Sequence, residues 1–289
     1  MSSSGYFYEL APGVLLSDRY EITQLIHNSG GVLVYLAKDV YRPHGPVVVK
    51  EIRMQSLFYT SMPPLTFQED LRREAEQFAE LYHPSIPTLH NYFFDADRGN
   101  FYLAMEYIDG DDLATRQRLS GGRVDELAVT KWAIDICAAL DHLHSKEPPF
   151  VHRNLMVNNL MIAKRTNRVM LVGFGTRCCL NQRYKLPVAQ TVIEYWTPEG
   201  FTGDFETPSD IYRLGAIMFH LLTGDDPKDN PMLIFDFTKN PKPRQINPAI
   251  TPEMEEMICK AVESKPENRF ASARVFGQRL EEHLNNLRK

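Results

Sequence analysis

Over the first hundred residues the apolar positions fall at strand spacing. Residues 20–26 alternate apolar and polar, residues 31–38 are rich in Val, Leu and Tyr, and Val47-Val48-Val49 runs into Lys50. A period of two in β-branched and aromatic residues predicts strands. Residues 57–64, broken by Pro63-Pro64, read as a loop. In residues 67–82 the period changes. Leu71, Phe78 and Leu81 recur at helical spacing among charges, and Pro84 stops the helix. Strands are expected again at 89–94 and 101–108, joined by a turn at 95–100.

The pattern shifts at the polar, turn-forming Asp109-Gly110-Asp111-Asp112. Beyond it apolar residues repeat at helical intervals in 129–144, 211–222, 252–262 and 271–287. Strands first and helices afterwards predict an α+β arrangement in two lobes. The expected division is an N-terminal extension at 1–18, a strand-rich lobe at 19–108 and a helical lobe at 109–289. The sequence has no internal repeat and no low-complexity tract.

A chain of 289 residues with 43% hydrophobic and 24% charged residues is ordinary globular protein, long enough for a core in each lobe. The net charge of -5, with no basic run, argues against a nucleic-acid partner. Residues 1–6 lack a basic patch followed by an apolar core, and no apolar run approaches the ~20 residues of a membrane helix. The expectation is a soluble, cytoplasmic chain without a membrane segment. Cys137, Cys178, Cys179 and Cys259 fit no zinc spacing and read as free thiols of a reducing compartment, the adjacent 178 and 179 included.

The candidate chemistry lies in a series of ordered motifs. Residues 151–160 read Val-His152-Arg153-Asn154-Leu155-Met156-Val157-Asn158-Asn159-Leu160. Gly173-Phe174-Gly175 follows an apolar stretch. Upstream, Val47-Val48-Val49-Lys50 precedes a helix bearing Glu74, and downstream come Thr197-Pro198-Glu199 and Ser209-Asp210-Ile211-Tyr212-Arg213-Leu214-Gly215. A lone Lys50 or Glu74 would be a solvated charge. In this order the chain resembles the protein kinase superfamily, particularly bacterial Ser/Thr kinases of eukaryotic type, from about Tyr20 to Leu287.

The resemblance implies a bilobal protein kinase fold and a set of roles. Lys50, paired by Glu74, would face a nucleotide in a pocket of Ile26, Val34, Val48, Met105, Glu106, Ile108, Asp112 and Met161, with Met105 as gatekeeper. His152, Phe174, Phe78 and Leu89 would form an apolar stack. Asp210 would anchor the backbone around Arg153, and Glu199 would pair with Arg269.

The departures fall on the chemistry. A kinase uses one aspartate to orient and deprotonate the acceptor hydroxyl and another to hold Mg²⁺; here those positions carry Asn154 and Gly173. An amide cannot take the proton, and glycine offers magnesium no oxygen. Asn159 remains as a weak metal candidate. Met156 stands where the family has a lysine near the γ-phosphate, and Val192 where it has a threonine. His27, Ser29 and Val32 occupy the three glycine positions of the phosphate loop. Residues 177–190 contain no Ser or Thr; Thr176, Tyr184 and Thr191 are the nearest hydroxyls.

The resulting expectation is a pseudokinase, an interaction or allosteric module for a protein partner, with no cofactor beyond weak ATP bound without Mg²⁺. Two alternatives stand beside it: an ATP sensor that does not turn over, and an active Ser/Thr kinase with atypical chemistry.

Overall fold

The computed structural model describes residues 9–29, 31–42, 45–54, 65–175, 195, 197–201, 206–227, 229, 234 and 236–289. The expected loop at 57–64, the cysteines Cys178 and Cys179, Thr176, Tyr184, Thr191 and Val192 lie outside these residues. The chain divides into two compact units. Met1–Glu80 and Thr88–Tyr107 belong to the first; Leu81–Pro87, Ile108–Arg183 and Val192–Lys289 belong to the second.

The first unit is a six-stranded antiparallel sheet with one helix. The strands are β1 (Leu15–Leu16), β2 (Tyr20–Asn28), β3 (Val32–Asp39), β4 (Pro46–Ile52), β5 (Leu89–Asp95) and β6 (Asn100–Glu106), in the order β1-β2-β3-β4-β6-β5. Helix α1 spans Leu65–Ala79 and packs on β5 and β6. Residues paired directly across an antiparallel ladder share a face. The rows Val34–Lys50–Leu103 and Leu36–Val48–Met105 therefore lie on one face. The rows Tyr35–Val49–Ala104 and Leu33–Glu51–Tyr102 lie on the other. That second face forms a core with Tyr20, Ile22 and Leu16, and Leu10 and Val14 pack against it. Backbone bonds from Gly13 N to Ile22 O (2.8 Å) and from Ile22 N to Val14 O (2.9 Å) fix this N-terminal stretch to β2.

The second unit is mainly helical: α2 (Leu113–Leu119), α3 (Glu126–His144), α4 (Thr207–Thr223), α5 (Pro252–Ala261) and α6 (Ala273–Leu287). Polar caps set their starts. Asp125 accepts from Ala128 N at 2.9 Å, Thr251 from Met254 N at 3.2 Å and Ser272 from Val275 N at 3.2 Å. Helix α4 is buried from Ser209 to Thr223 and ends at Gly224, whose φ of 81° suits glycine. Helices α3 and α6 pack closely because Gly277 has no side chain: a Cβ there would lie 3.1 Å from Cys137 Cβ. Glu126 fastens three elements, accepting from Thr251 N (2.8 Å) and Oγ1 (2.6 Å) and lying 2.7 Å from His283 Nε2.

Element bounds differ from the expectation in physical detail. Helix α1 stops at Ala79, ahead of the turn that leads to Pro84. Strand β6 stops at Glu106, whose carboxylate turns back to accept from Thr88 N at 3.1 Å. The polar stretch read as a turn contains β7 (Gly110–Asp112), which joins β8 (Leu160–Ala163) and β9 (Val169–Leu171) in a small sheet. Helix α6 begins at Ala273, because the Ser272 side chain caps it.

Candidate functional site

In the first unit Val34, Val48, Lys50 and Met105, four of the sequence-predicted nucleotide residues, share one sheet face by register. Lys50 is 6% exposed and Glu74, on α1, is 5% exposed. A lysine and a glutamate buried to that degree need polar partners. Ile26 on β2 is half exposed, and Glu106 is exposed at the end of β6.

In the second unit Ile108 is buried, and Asp112 pairs with Met161 across β7 and β8. The Asp112 carboxylate accepts from Thr115 N at 2.6 Å and caps α2. Its charge is thus partly committed to that helix start.

The stretch from His152 to Asn159 is held by Asp210 at the start of α4. Asp210 is fully buried and accepts from His152 N (2.8 Å) and Arg153 N (3.1 Å), and His144 Nε2 lies 2.9 Å from its Oδ2. Burial alone would raise this carboxyl, but the His144 bond and the charges of His144, His152 and Arg213 outweigh it and hold it down at about 2. Arg153 takes a φ of 63°, an uncommon conformation for arginine that the two Asp210 bonds help to fix.

Backbone bonds join this stretch to the Gly173 segment: Val172 N donates to Asn159 O at 2.8 Å, and Asn159 N to Met156 O at 2.9 Å. His152 Nε2 lies 3.1 Å from Val172 O. The His152 ring meets Phe174 edge-on at 4.9 Å between centroids, and Phe150 lies at 5.9 Å on the same ring. His152 and Phe174, two of the residues expected to stack, are thus in ring contact within the second unit. Met156, where the family has a lysine, is 6% exposed.

The metal position is decided by two residues. Asn159 Nδ2 donates to Asn154 O at 2.8 Å. Gly173 has a φ of 90°, and a Cβ built there would lie 2.7 Å from Asn159 Cγ and Nδ2 and 3.0 Å from Oδ1. The space for a side chain at 173 is filled by the Asn159 amide. Magnesium asks for several hard oxygen ligands, carboxylates first. The side chains of Asn154 and Asn159 supply only neutral amide oxygens and Gly173 none, so these residues do not fit the ion. Among the described residues no group of three His, Cys, Asp or Glu is placed to hold a metal.

Further along, Glu199 and Arg269 form a two-pronged ion pair, Nη1 to Oε1 at 2.7 Å and Nη2 to Oε2 at 2.8 Å. The guanidinium also lies 4.8 Å above the Tyr212 ring. Burial works against the Glu199 charge, but Arg269 and the Ser209 hydroxyl at 2.6 Å hold its carboxyl below the usual range. Sequence reasoning missed Arg213, whose Nε donates to Tyr195 O at 3.3 Å from a buried position. It also missed Glu51, which gathers Tyr35, Tyr102, Asn100 and Arg53 on the far face from Lys50. The only signal for either is a charged residue inside a run otherwise read as buried.

The family profile described as protein kinase domain matches residues 31–280. The chain belongs to this family. Serine/threonine-protein kinase PknB of Mycobacterium leprae (strain TN) is 31% identical over 269 residues, covering 89% of this chain and 42% of that protein. Serine/threonine-protein kinase PrkC of Bacillus subtilis (strain 168) is 28% identical over 269 residues, covering 90% and 40%. The chain spans less than half the length of these curated relatives. A crystal structure of the Mycobacterium tuberculosis PknI kinase domain superposes with a TM-score of 0.76 at 23% identity, covering 96% of this chain and all of that one, a likeness of fold. This protein kinase domain therefore resembles the domains of bacterial Ser/Thr kinases. No helix among its described residues is long and apolar enough to cross a membrane.

Proposed function

We propose that this protein kinase domain is a pseudokinase, a cytoplasmic signalling module that presents a kinase shape to a protein partner and transfers phosphate poorly or not at all. The observation that carries this reading is the Asn159 amide lying where a side chain at 173 would stand. Two missing acids alone could be two point changes on an otherwise ready site; the closeness of the Asn159 amide to position 173 supports the reading that the site is arranged around glycine. Losing the general base at 154 by itself costs about 10²–10⁴ in rate. The architectural residues His152, Phe174, Asp210, Glu199 and Arg269 contact one another and their neighbouring backbone, and these contacts support a kinase-shaped scaffold.

The test is phosphotransfer from radiolabelled ATP to the protein itself and to a generic substrate. No incorporation above that of Lys50→Ala is expected. Asn154→Asp alone should not restore it, since groups that act as a unit do not contribute additively. Incorporation that vanishes in Lys50→Ala would overturn the reading in favour of an active kinase of atypical chemistry.

A second reading rests on Lys50 and Glu74, both buried in the first unit. A nucleotide held by Lys50 through its phosphates, with its ring against Val34, Val48 and Met105, would bind weakly and without magnesium. Calorimetric titration with ATP, with and without EDTA, separates this sensor from a module that binds nothing. Tight binding that collapses with EDTA would overturn both.

A further inference from the structure

Helix α4 holds two different parts of the chain with neighbouring residues. Asp210 fixes His152 and Arg153 by their backbone N–H groups. One turn later Arg213, 3% exposed, donates from Nε to Tyr195 O at 3.3 Å. Two turns beyond that His220 stands on the same face of the helix, since seven residues make about two turns. Its Nδ1 lies 2.8 Å from the Tyr195 hydroxyl. The main chain and the side chain of Tyr195 are thus both seized by one helix face. Tyr195 is 2% exposed and Thr197 is fully buried. His220 is itself fixed, its carbonyl accepting from Gln117 Nε2 at 2.9 Å and its Nδ1 lying 3.7 Å from Asp226 Oδ1.

We propose that Arg213 is a positioning residue that keeps the chain at Tyr195 and Thr197 in place without a phosphate. In protein kinases the loop that leads to a motif such as Thr197-Pro198-Glu199 is commonly ordered by a phosphate that pairs with arginine. Residues 177–190 offer no Ser or Thr to carry one. Arg213 brings the guanidinium to a partner that is always present, a backbone carbonyl. A buried guanidinium requires compensating charge. Burial lowers the Arg213 pKa to about 10, with Asp210 and then Glu199 opposing the fall and Arg153 adding to it, so the group stays cationic at neutral pH. Asp210 therefore serves twice, as acceptor for His152 and Arg153 and as counter-charge for Arg213. The clamp is independent of whether the domain transfers phosphate.

Hydrogen exchange read by mass spectrometry tests it, on protein whose intact mass shows no phosphate. In Arg213→Met, which keeps the bulk and removes the donors, peptides containing Tyr195 and Thr197 should exchange about tenfold faster, the factor one hydrogen bond from a charged donor accounts for. Peptides from α3 and α6 should exchange as in the native protein. Arg213→Lys should fall between the two, because an ammonium lacks the planar fork. Added guanidinium ion should return Arg213→Ala toward native protection at Tyr195. Native-like protection of Tyr195 in Arg213→Met would overturn the proposal. So would a loss spread equally over α3, α4 and α6, an Arg213→Lys protein that fails to fold, or native protection that appears only after phosphorylation.

Discussion

The side-chain amide of Asn159 lies where a Cβ on Gly173 would have to be, 2.7 Å from Cγ and Nδ2. The same amide donates to the carbonyl of Asn154 at 2.8 Å. The Asn159 amide is therefore tied to the main chain at Asn154 and lies against position 173. A carboxylate returned to 173 has to displace Asn159 before it can meet a cation. The φ of 90° matters less, since aspartate tolerates left-handed backbone better than most residues.

Gly173→Ala should destabilise the domain by about 1–3 kcal/mol, from overpacking and positive φ together. In an Asn159→Ala background the same change should cost about 1 kcal/mol less, because the contact is gone. A double-mutant cycle by urea denaturation measures this coupling. Additive effects would mean that Asn159 moves aside freely, and the case for a repacked site would fall.

Asp210 should give the fold part of its acid limb, at the low end of the pH range. Its folded pKa of about 2 lies below the ordinary 3.8, because His144 and the neighbouring positive charges outweigh burial. A depressed carboxyl stabilises the fold above its unfolded pKa and loses that contribution as pH falls through the folded value. About 2 kcal/mol should therefore be present above pH ~4 and disappear toward pH ~2. Asp210→Asn should lower neutral stability and flatten this acid limb, as read by denaturant midpoints across pH.

Arg269→Lys should cost about 2–4 kcal/mol despite keeping the charge. The guanidinium makes the two bonds to Glu199, another to Pro208 O at 2.9 Å and one from Nε to Glu263 O at 2.8 Å, and it stacks on Tyr212. An ammonium has three donors on one atom and cannot reach these acceptors together. A loss below about 0.5 kcal/mol in urea unfolding would show the pair to be replaceable by a point charge.

The sheet and the long helices were legible because period two and period 3.6 persist through residues 20–38 and 129–144. The small sheet β7–β9 was not, since strands of three or four residues are too short to show a period. The Asp112 carboxylate caps α2, a local bond that only the backbone path reveals. Motif order suggests pairing Lys50 with Glu74, and both side chains are buried in the first unit. The Asn159–Gly173 contact could not be read that way, since it depends on where a side chain rests across 14 residues of chain. The role of Arg213 is not legible in its motif, because its partner, the carbonyl of Tyr195, carries no sequence signature.

Glu51 stands next to Lys50 on β4 and faces the opposite side of the sheet, so its surroundings help to set the strand that carries the lysine. Its carboxylate accepts from Tyr35 (3.0 Å), Tyr102 (2.9 Å), Asn100 (2.8 Å) and Arg53 (3.2 Å), and Tyr35 in turn accepts from Leu10 N at 3.1 Å. Burial pushes the Tyr35 phenol up to about 12, with the Glu51 charge adding to it and the Leu10 bond opposing, and Tyr102 is raised for the same first reason. A phenol whose folded pKa is raised favours folding while neutral; that contribution is complete below pH ~10 and is lost as pH rises toward 12. Alkaline unfolding should therefore coincide with the appearance of phenolate absorbance from these two tyrosines. Tyr35→Phe should remove part of that absorbance step and loosen the N-terminal stretch at Leu10. Glu51→Gln should cost about 1–3 kcal/mol at neutral pH, since an amide presents one acceptor where the carboxylate presented two. It should also let Tyr35 and Tyr102 ionise at lower pH, because the charge that opposed the phenolates is gone. If Glu51→Gln left both stability and the phenolate midpoint unchanged, the network would be passive packing, and β4 would be positioned by its apolar rows alone.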